Sequence, residues 1–375
     1  MIWAERSLDE LGYVSRGKSR HRPRDAAHLY GGPYPFVQTG DVKHAGLYLS
    51  NYSQTYSEDG LAQSKQWPIG TLCITIAANI ADTSILAIEA CFPDSVIGFI
   101  ADPEKADARY IKYLFDAELK LKYKQFTQGA AQDNLSQGKL LSIKFRVPQD
   151  VADQKRIADF ISAYDELVEN NRRRIELLEE SARFLYKEWF VYLRFPGHEH
   201  VVNNDGVPQG WAKDKIGDFL TLSYGKALKA DDRIEGAFPV YGSSGVVGSH
   251  HKSLVSGPAI IVGRKGNVGA VHWSQKDFWP IDTVYFIPSE QSNLYLYYAL
   301  QYAGFINTDV AVPGLNRDMA YSRKLFRPAD IVLNSFLEEV RPIRAQIEKL
   351  QEYNAKLESA RDLLLPRLMN GDITV

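Results

Sequence analysis

The sequence predicts a mixed α/β (α+β) fold: two similar globular lobes joined by two long helices that pair as an antiparallel coiled coil, with pseudo-two-fold internal repetition. Three observations predict it. The two halves match each other in order, two long stretches keep a 3.5-residue apolar period, and each half carries paired β-rich runs around a Gly/Asn turn. At 375 residues the chain has room for two domains of ordinary size.

The repeat comes first, because a missed repeat misreads the whole fold. Trp3-Ala4, Ser15 and Gly17-Lys18 match Trp211-Ala212, Ser223 and Gly225-Lys226 at an offset of 208. Pro35 matches Pro239 at 204, Asn79 matches Asn267 at 188, and Gly70 and Phe99-Ile100 match Gly257 and Phe286-Ile287 at 187. Tyr110 and Tyr113 match Tyr295 and Tyr298 at 185, Phe145 matches Phe326 at 181, and Glu180 to Arg183 recur as Glu358 to Arg361 at 178. Chance matches would scatter. An offset that falls almost steadily is the mark of a duplication with deletions in the second copy.

Within each lobe, Gly70 to Leu86 and Gly257 to Trp273 read as hairpins. Ala108 to Phe126 and Asn293 to Phe305 read as helices rich in Tyr and Leu. The Gly, Pro and Asn content of Phe195 to Gly210 is that of a linker. The expected divisions are lobe one at 1–150, helix one at 151–194, linker at 195–210, lobe two at 211–331, and helix two with a tail at 332–375.

The first helical seam reads Ile157, Ile161, Tyr164, Val168, Asn171, Ile175, Leu178, Ala182, Leu185, Trp189, with spacings alternating four and three. The second reads Leu333, Phe336, Val340, Ile343, Ile347, Leu350, Asn354, Leu357, Leu364, Leu368. Pro342 lacks a backbone donor and is expected to bend or break the start of the second helix. Antiparallel pairing that sets Ile157 opposite Leu368 and Trp189 opposite Phe336 also sets Asn171 opposite Asn354. A buried polar pair of that kind would fix register. The helix from Ile157 to Trp189 is about 48 Å long, somewhat more than one turn of B-DNA at about 34 Å, so the helices read as a spacer.

Composition excludes several classes. Hydrophobic residues make up 45% and charged residues 24%, a globular balance. No apolar run is long enough to span a membrane, the start MIWAERSLDEL is unlike a signal peptide, and a cytoplasmic location is expected. Cys73 and Cys91 sit among apolar residues and are expected to be reduced and buried. The eight histidines lack metal-ligand spacing. A net charge of −2 argues against binding nucleic acid by bulk charge, but not against segregated charge such as the run Arg16, Lys18, Arg20, Arg22, Arg24.

Gly12 to Ser19 satisfies the phosphate-loop expression G-x-x-x-x-G-K-[ST], yet Arg20-His21-Arg22-Pro23-Arg24 follows instead of an amphipathic helix. The second copy keeps Gly225-Lys226 but has Leu220 and Ala227 at the other two motif positions, so ATP binding is not expected. No Asn/Asp-Pro-Pro-aromatic motif or glycine-rich cofactor loop points to a methyltransferase, and no catalytic residues or metal ligands are assigned.

Asp205 to Trp211, the segments Thr75 to Thr83 and Val262 to Ala270, the two Glu-Ser-Ala-Arg helices and the C-terminal Leu363 to Val375 together resemble the DNA specificity subunits of type I restriction-modification systems. The resemblance covers nearly the whole chain. It implies two target-recognition domains, similar to that of type II adenine methyltransferases, each reading half of a bipartite site in double-stranded DNA. It also implies two adenine methyltransferase subunits on the helices, further endonuclease/translocase subunits, and S-adenosylmethionine, ATP and magnesium on those partners only.

Candidate DNA contacts follow from side-chain chemistry, since Arg, Asn and Gln read bases while Lys, Ser and Thr favour phosphates. In lobe one these are Arg16, Lys18, Ser19, Arg20, Arg22, Gln38, Thr39, Asp41, Gln132 and Asn134. In lobe two they are Lys226, Ser243, Ser244, Arg264, Lys265, Asn316 and Arg317. Asn79 and Asn267, identical in both lobes, suit a structural turn better than readout of two different sequences. The alternative reading is a non-enzymatic coiled-coil adaptor whose lobes bind protein.

Overall fold

The computed structural model describes residues 1–77, 80–119, 135–305 and 314–375. Its contacts fall into two compact units, residues 1–173 with 350–375, and residues 174–349.

In unit one the strands are β1 (Trp3–Arg6), β2 (Gly12–Arg16), β3 (Tyr30–Phe36), β4 (Tyr48–Leu49), β5 (Gln54–Tyr56), β6 (Gln66–Trp67), β7 (Leu72–Thr75), β8 (Thr83–Leu86), β9 (Ala90–Cys91), β10 (Val96–Ala101) and β11 (Phe145–Pro148). The described helices of its lobe are α1 (Leu8–Leu11), α2 (Thr39–His44), α3 (Glu58–Ala62), α4 (Ala108–Leu114) and α5 (Gln137–Ser142). One sheet has the order β2-β10-β7-β8-β4, a second β5-β3-β9-β6, and β1 pairs with β11.

The apolar run Leu72-Cys73-Ile74 explains why β7 is central. Alternate residues of a strand face opposite sides. Leu72 and Ile74 join Phe99, Tyr110 and Leu114 in one core, while Cys73 joins Trp67 and Phe92 in the other. Fully buried side chains of this size contribute about 1.5–3 kcal/mol each. Both cysteines are buried free thiols, and burial pushes the Cys73 thiol well above its ordinary pKa.

Unit two repeats this plan. Its strands are β12 (Asn203–Asn204), β13 (Val207–Pro208), β14 (Ala212–Lys215), β15 (Ser223–Tyr224), β16 (Phe238–Gly242), β17 (Gly245–His250), β18 (Ala259–Gly263), β19 (Val271–Ser274), β20 (Trp279–Pro280), β21 (Val284–Ile287) and β22 (Lys324–Arg327). The sheets run β15-β21-β18-β19 and β17-β16-β20, and β14 pairs with β22. Thus β2, β10, β7 and β8 correspond to β15, β21, β18 and β19, and the parallel pair β3/β9 corresponds to β16/β20. In β18, Ile260 and Val262 face a core with Tyr295 and Tyr298, and Ala259 and Ile261 face Tyr241 and Phe278.

The hairpins match in register at the described residues. Ala81 N donates to Thr75 O at 2.9 Å as Gly269 N does to Gly263 O at 2.8 Å. Both Ala81 and Gly269 have positive φ, 65° and 78°. Lobe one inserts α2 and β4 between β3 and β5, where lobe two has only the turn Ser243-Ser244. It also places α3 and β6 between β5 and β7. Much of the falling sequence offset arises at these two sites.

Helix caps repeat too. Asp107 caps α4 by accepting from the amides of Arg109 and Tyr110, and Ser136 caps α5 by accepting from Lys139 N. Asn293 caps α7 (Leu294–Gln301) by accepting from Leu296 N, and Asn316 caps α8 (Arg317–Ser322) by accepting from Asp318 N. The helix expected over 293–305 therefore ends at Gln301. That expected over 108–126 is helical through Leu119, and its remainder lies outside the described residues.

The long helices are α6 (Val151–Tyr186) and α9 (Asp330–Met369). Along the seam Ile157, Ile161, Val168, Ala182, Val340, Ile347, Leu350 and Asn354 are buried, and Tyr164, Asn171, Ile175, Leu178, Leu185, Ile343, Leu357 and Leu364 are half-buried. In unit one, Asn171 Nδ2 donates to Asn354 Oδ1 at 2.9 Å, and Asn354 Nδ2 donates to Val168 O at 3.3 Å. Asp165 accepts from Tyr113 Oη at 2.6 Å and pairs with Arg361. In unit two, Phe336 packs on Trp189 and Phe190 with ring centroids 5.8 and 4.9 Å away, and Arg344 bridges Glu179 and Glu348, each at 3.0 Å.

Two expectations need correcting. Helix α9 runs through Pro342 without a break. The carbonyl that proline leaves without its donor belongs to Glu338, and both residues are exposed, so water can serve it. The segment 195–210 is also more than a linker: Phe195 is buried and stacks on Trp211 at 5.0 Å, and β12 pairs with β13.

Candidate nucleic-acid interface

Each lobe ends its first sheet strand in a Gly-Lys pair whose amides are already used. Gly17 N donates to Val96 O at 2.9 Å and Lys18 N to Phe92 O at 3.1 Å. Gly225 N donates to Val284 O at 3.2 Å and Lys226 N to Pro280 O at 2.9 Å. A Cβ on Gly17 would lie 2.2 Å from Phe92 O, and one on Gly225 would lie 2.0 Å from Ile281 O, so packing demands glycine at both. A phosphate loop needs free amides ahead of a helix. Here Gly12–Arg16 is an antiparallel strand and the turn amides point at carbonyls. The lysine side chains remain exposed.

In lobe two the fold gathers three separate segments around Tyr224, which is 50% exposed. The Arg264 guanidinium lies 5.1 Å from the centre of its ring and that of Arg317 5.2 Å. Arg264 Nη1 donates to Asp282 O at 3.1 Å and also lies 5.8 Å from the Tyr285 ring. Lys265 N donates to Thr283 O at 3.1 Å, and Lys265 forms a β-bridge with Gly314, while Leu315 N donates to Arg264 O at 2.9 Å. The turn Ser243-Ser244 adjoins this loop, since Asn267 N donates to Ser243 Oγ at 3.3 Å. None of Lys226, Arg264, Lys265 or Arg317 forms an ion pair among the described residues. Two arginines against an exposed aromatic ring, with the exposed Lys226 and Lys265 on the same segments and no acid paired to any of the four among the described residues, form a surface suited to a polyanion.

The predicted residues of this lobe separate on inspection. Ser244, Lys226, Lys265 and Arg317 are exposed and Arg264 is half-buried. Ser243 is buried, its hydroxyl accepting from the Asn267 amide, and Asn316 is exposed but caps α8 by accepting from Asp318 N at 2.8 Å. Asn267 sits in the hairpin turn, and Asn79 lies outside the described residues.

Lobe one holds its cations differently. Arg16 Nε donates to Asp94 O at 2.7 Å, Arg22 Nη1 to Ser19 O at 2.8 Å, and Arg24 pairs with Asp94 at 2.9 Å. Lys18 and Arg20 have exposed side chains with no ion pair among the described residues. Ser19 is buried beneath Tyr56 and faces the lobe interior, away from any surface ligand. Gln38, Thr39 and Asp41 form the start of α2 rather than a turn. Gln38 N donates to Asp41 Oδ2 at 2.8 Å and Gln38 Nε2 to Gln54 Oε1 at 2.6 Å, so the polar groups of Gln38 and Asp41 serve the cap and a neighbour. Gln132 and Asn134 lie outside the described residues.

Two aromatic features escaped the sequence reading. Tyr224 occupies the position of Arg16, immediately before the repeated Gly-Lys, and that alignment was the available signal. In lobe one Lys65 Nζ lies 3.6 Å from the Trp67 ring and 4.5 Å from that of Tyr13, which is 52% exposed. No sequence spacing links those residues.

Among the described residues no helix is long and apolar enough to cross a membrane. A family model for the type I restriction modification DNA specificity domain matches residues 2–180 and 208–315. The type I restriction enzyme MjaIX specificity subunit of Methanocaldococcus jannaschii is 23% identical over 409 residues, covering 100% of this chain and 94% of that relative. The fold resembles that of a type I restriction-modification S subunit from M. genitalium, with a TM-score of 0.60 at 17% identity over 98% of this chain and 96% of the other. The twice-built lobe, its paired helices and a family match across most of its length lead to one conclusion: this chain belongs to the type I restriction-modification DNA specificity family.

Proposed function

We propose that each lobe reads one half of a bipartite site in double-stranded DNA, while the paired helices set the half-site spacing and dock two adenine methyltransferase subunits. The reading is carried by one observation. A single framework is built twice, and positions equivalent in register bear different chemistry: Arg16 against Tyr224, Ile76 against Arg264, Gln137 against Arg317. A constant scaffold with variable edge residues suits two lobes that read different sequences.

On this reading the chain is non-catalytic and acts in the cytoplasm. Methyl transfer, ATP-driven translocation and cleavage belong to the methyltransferase and endonuclease/translocase partners, together with S-adenosylmethionine, ATP and magnesium. The test is co-purification with an adenine methyltransferase encoded beside it, followed by methylome sequencing of cells expressing both. Two short half-sites around a fixed gap are expected. Deleting four residues from each helix removes about 6 Å of rod and should change the gap by about two base pairs at ~3.4 Å each. An unchanged gap would reject the spacer role, and failure to form any complex would favour an adaptor that binds protein.

A further inference from the structure

We propose that Arg264 is a base-reading residue of lobe two that selects guanine, while Lys265 and Arg317 grip the flanking phosphates; this rests on the DNA-binding reading above. Bidentate recognition of guanine in the major groove needs a planar guanidinium held in place with one donor edge free. Arg264 meets both requirements. Its guanidinium lies to one side of the paired Tyr224 and Tyr285 rings, 5.1 and 5.8 Å from their centres, and one nitrogen is anchored on Asp282 O at 3.1 Å. Its backbone is held as firmly, with Arg264 N on Thr283 O at 2.9 Å and Arg264 O accepting from Leu315 N at 2.9 Å. No carboxylate occupies the remaining donors among the described residues.

Such anchoring lowers the entropy lost when the side chain docks. Lys265 is different: it is exposed and its ammonium has no hydrogen-bond partner among the described residues. Arg317 is exposed and, among the described residues, rests only against the rings of Tyr224 and Tyr321. Adaptable cations of this kind suit phosphates, whose positions do not depend on sequence.

The equivalent position in lobe one strengthens the assignment. Ile76 N donates to Ser95 O at 3.0 Å just as Arg264 N donates to Thr283 O, so the two residues occupy the same place in the framework. Ile76 is buried at 3% exposure and cannot reach a base. A residue that the scaffold does not require, held rigid in one lobe and absent from the other, is placed to distinguish the two half-sites.

The experiment is selection from a randomised duplex pool by the full chain purified with its methyltransferase partner, comparing wild type with R264A, R264K, K265A and R317A. Wild type should enrich a bipartite motif. R264A should lose preference at one guanine in a single half-site, by roughly 5- to 150-fold, and leave the other half-site intact. K265A and R317A should keep the motif, bind every sequence more weakly, and each lower the salt slope by about one. R264K keeps the charge but not the planar fork, so it should lose only part of the preference, whereas full retention of the guanine by R264A would overturn the proposal. Uniform weakening by R264A, or a lobe-two half-site without guanine, would overturn it too. A wild-type complex that enriches no motif would defeat the DNA-binding reading itself, and this proposal with it.

Discussion

Lobe one displays its cations as a run in the sequence, whereas lobe two assembles its own from segments far apart. The run in lobe one is largely a clasp: Arg16 and Arg24 hold residue 94, and Arg22 closes on the carbonyls of Ser19 and His21. In lobe two, Arg264 and Arg317 meet around the Tyr224 ring, with Lys265 next in sequence, and no acid is paired to any of them among the described residues. A contiguous charge run can thus be structural while the better binding surface is invisible as a run. The two lobes share a framework but not a way of spending charge.

The largest expected effect tests whether the framework really is shared. G17A and G225A each drive a Cβ into backbone carbonyls, and each should cost about 3 kcal/mol in urea unfolding of the full chain. Costs differing by more than about 1 kcal/mol would break the equivalence. G46A, where a Cβ meets nothing within 4 Å, should change stability by less than about 0.5 kcal/mol.

Next in size are the devices that hold the helices, a polar pair in unit one and an aromatic cluster in unit two. N171L leaves the buried Asn354 Oδ1 without its donor and should cost about 1–3 kcal/mol, most of it recovered in N171L/N354L. Strict additivity in that double-mutant cycle would show that the pair does not act as a unit. The contrast in charge predicts a smaller effect, seen in DNA titrations against salt. The double variant K265A/R317A should lower the slope by about two, while R24A, already paired with Asp94, should leave it unchanged. Equal slopes for the two variants would erase the distinction between the lobes.

The smallest effect is confined to lobe one. Lys144, then the amide and hydroxyl of Ser7, hold the Glu10 pKa at about 2 against an ordinary value of 4.5. A carboxylate depressed in the folded state contributes stability above about pH 4.5 that is lost as pH falls through about 2. The advantage of wild type over E10Q in thermal unfolding should therefore shrink across that window. A constant difference would mean that Lys144 does not stabilise the charged form.

The repeat, the seam and the Asn171–Asn354 pairing were legible because each is a periodic or ordered relation along the chain. The site was only partly legible. Arg264, Lys265 and Arg317 are named by their chemistry, but Tyr224 is marked only by its alignment with Arg16, since a ring shared by residues 40 and 93 positions away has no spacing of its own. Ser19 and Ser243 failed as surface candidates because a hydroxyl satisfies an interior partner as readily as a phosphate. Pro342 misled because the cost of a missing donor depends on whether water reaches the orphaned carbonyl.

One ladder in each lobe has a consequence for inheritance. Trp3 lies opposite Pro148 across β1 and β11, and Ala212 opposite Arg327 across β14 and β22. The first and last strands of each lobe are therefore neighbours, so that everything between them hangs from one ladder. Recombination within such a ladder replaces everything beyond it while preserving both junctions. A lobe can then be exchanged whole, and a new specificity acquired in one event, without redesigning the helices that carry it.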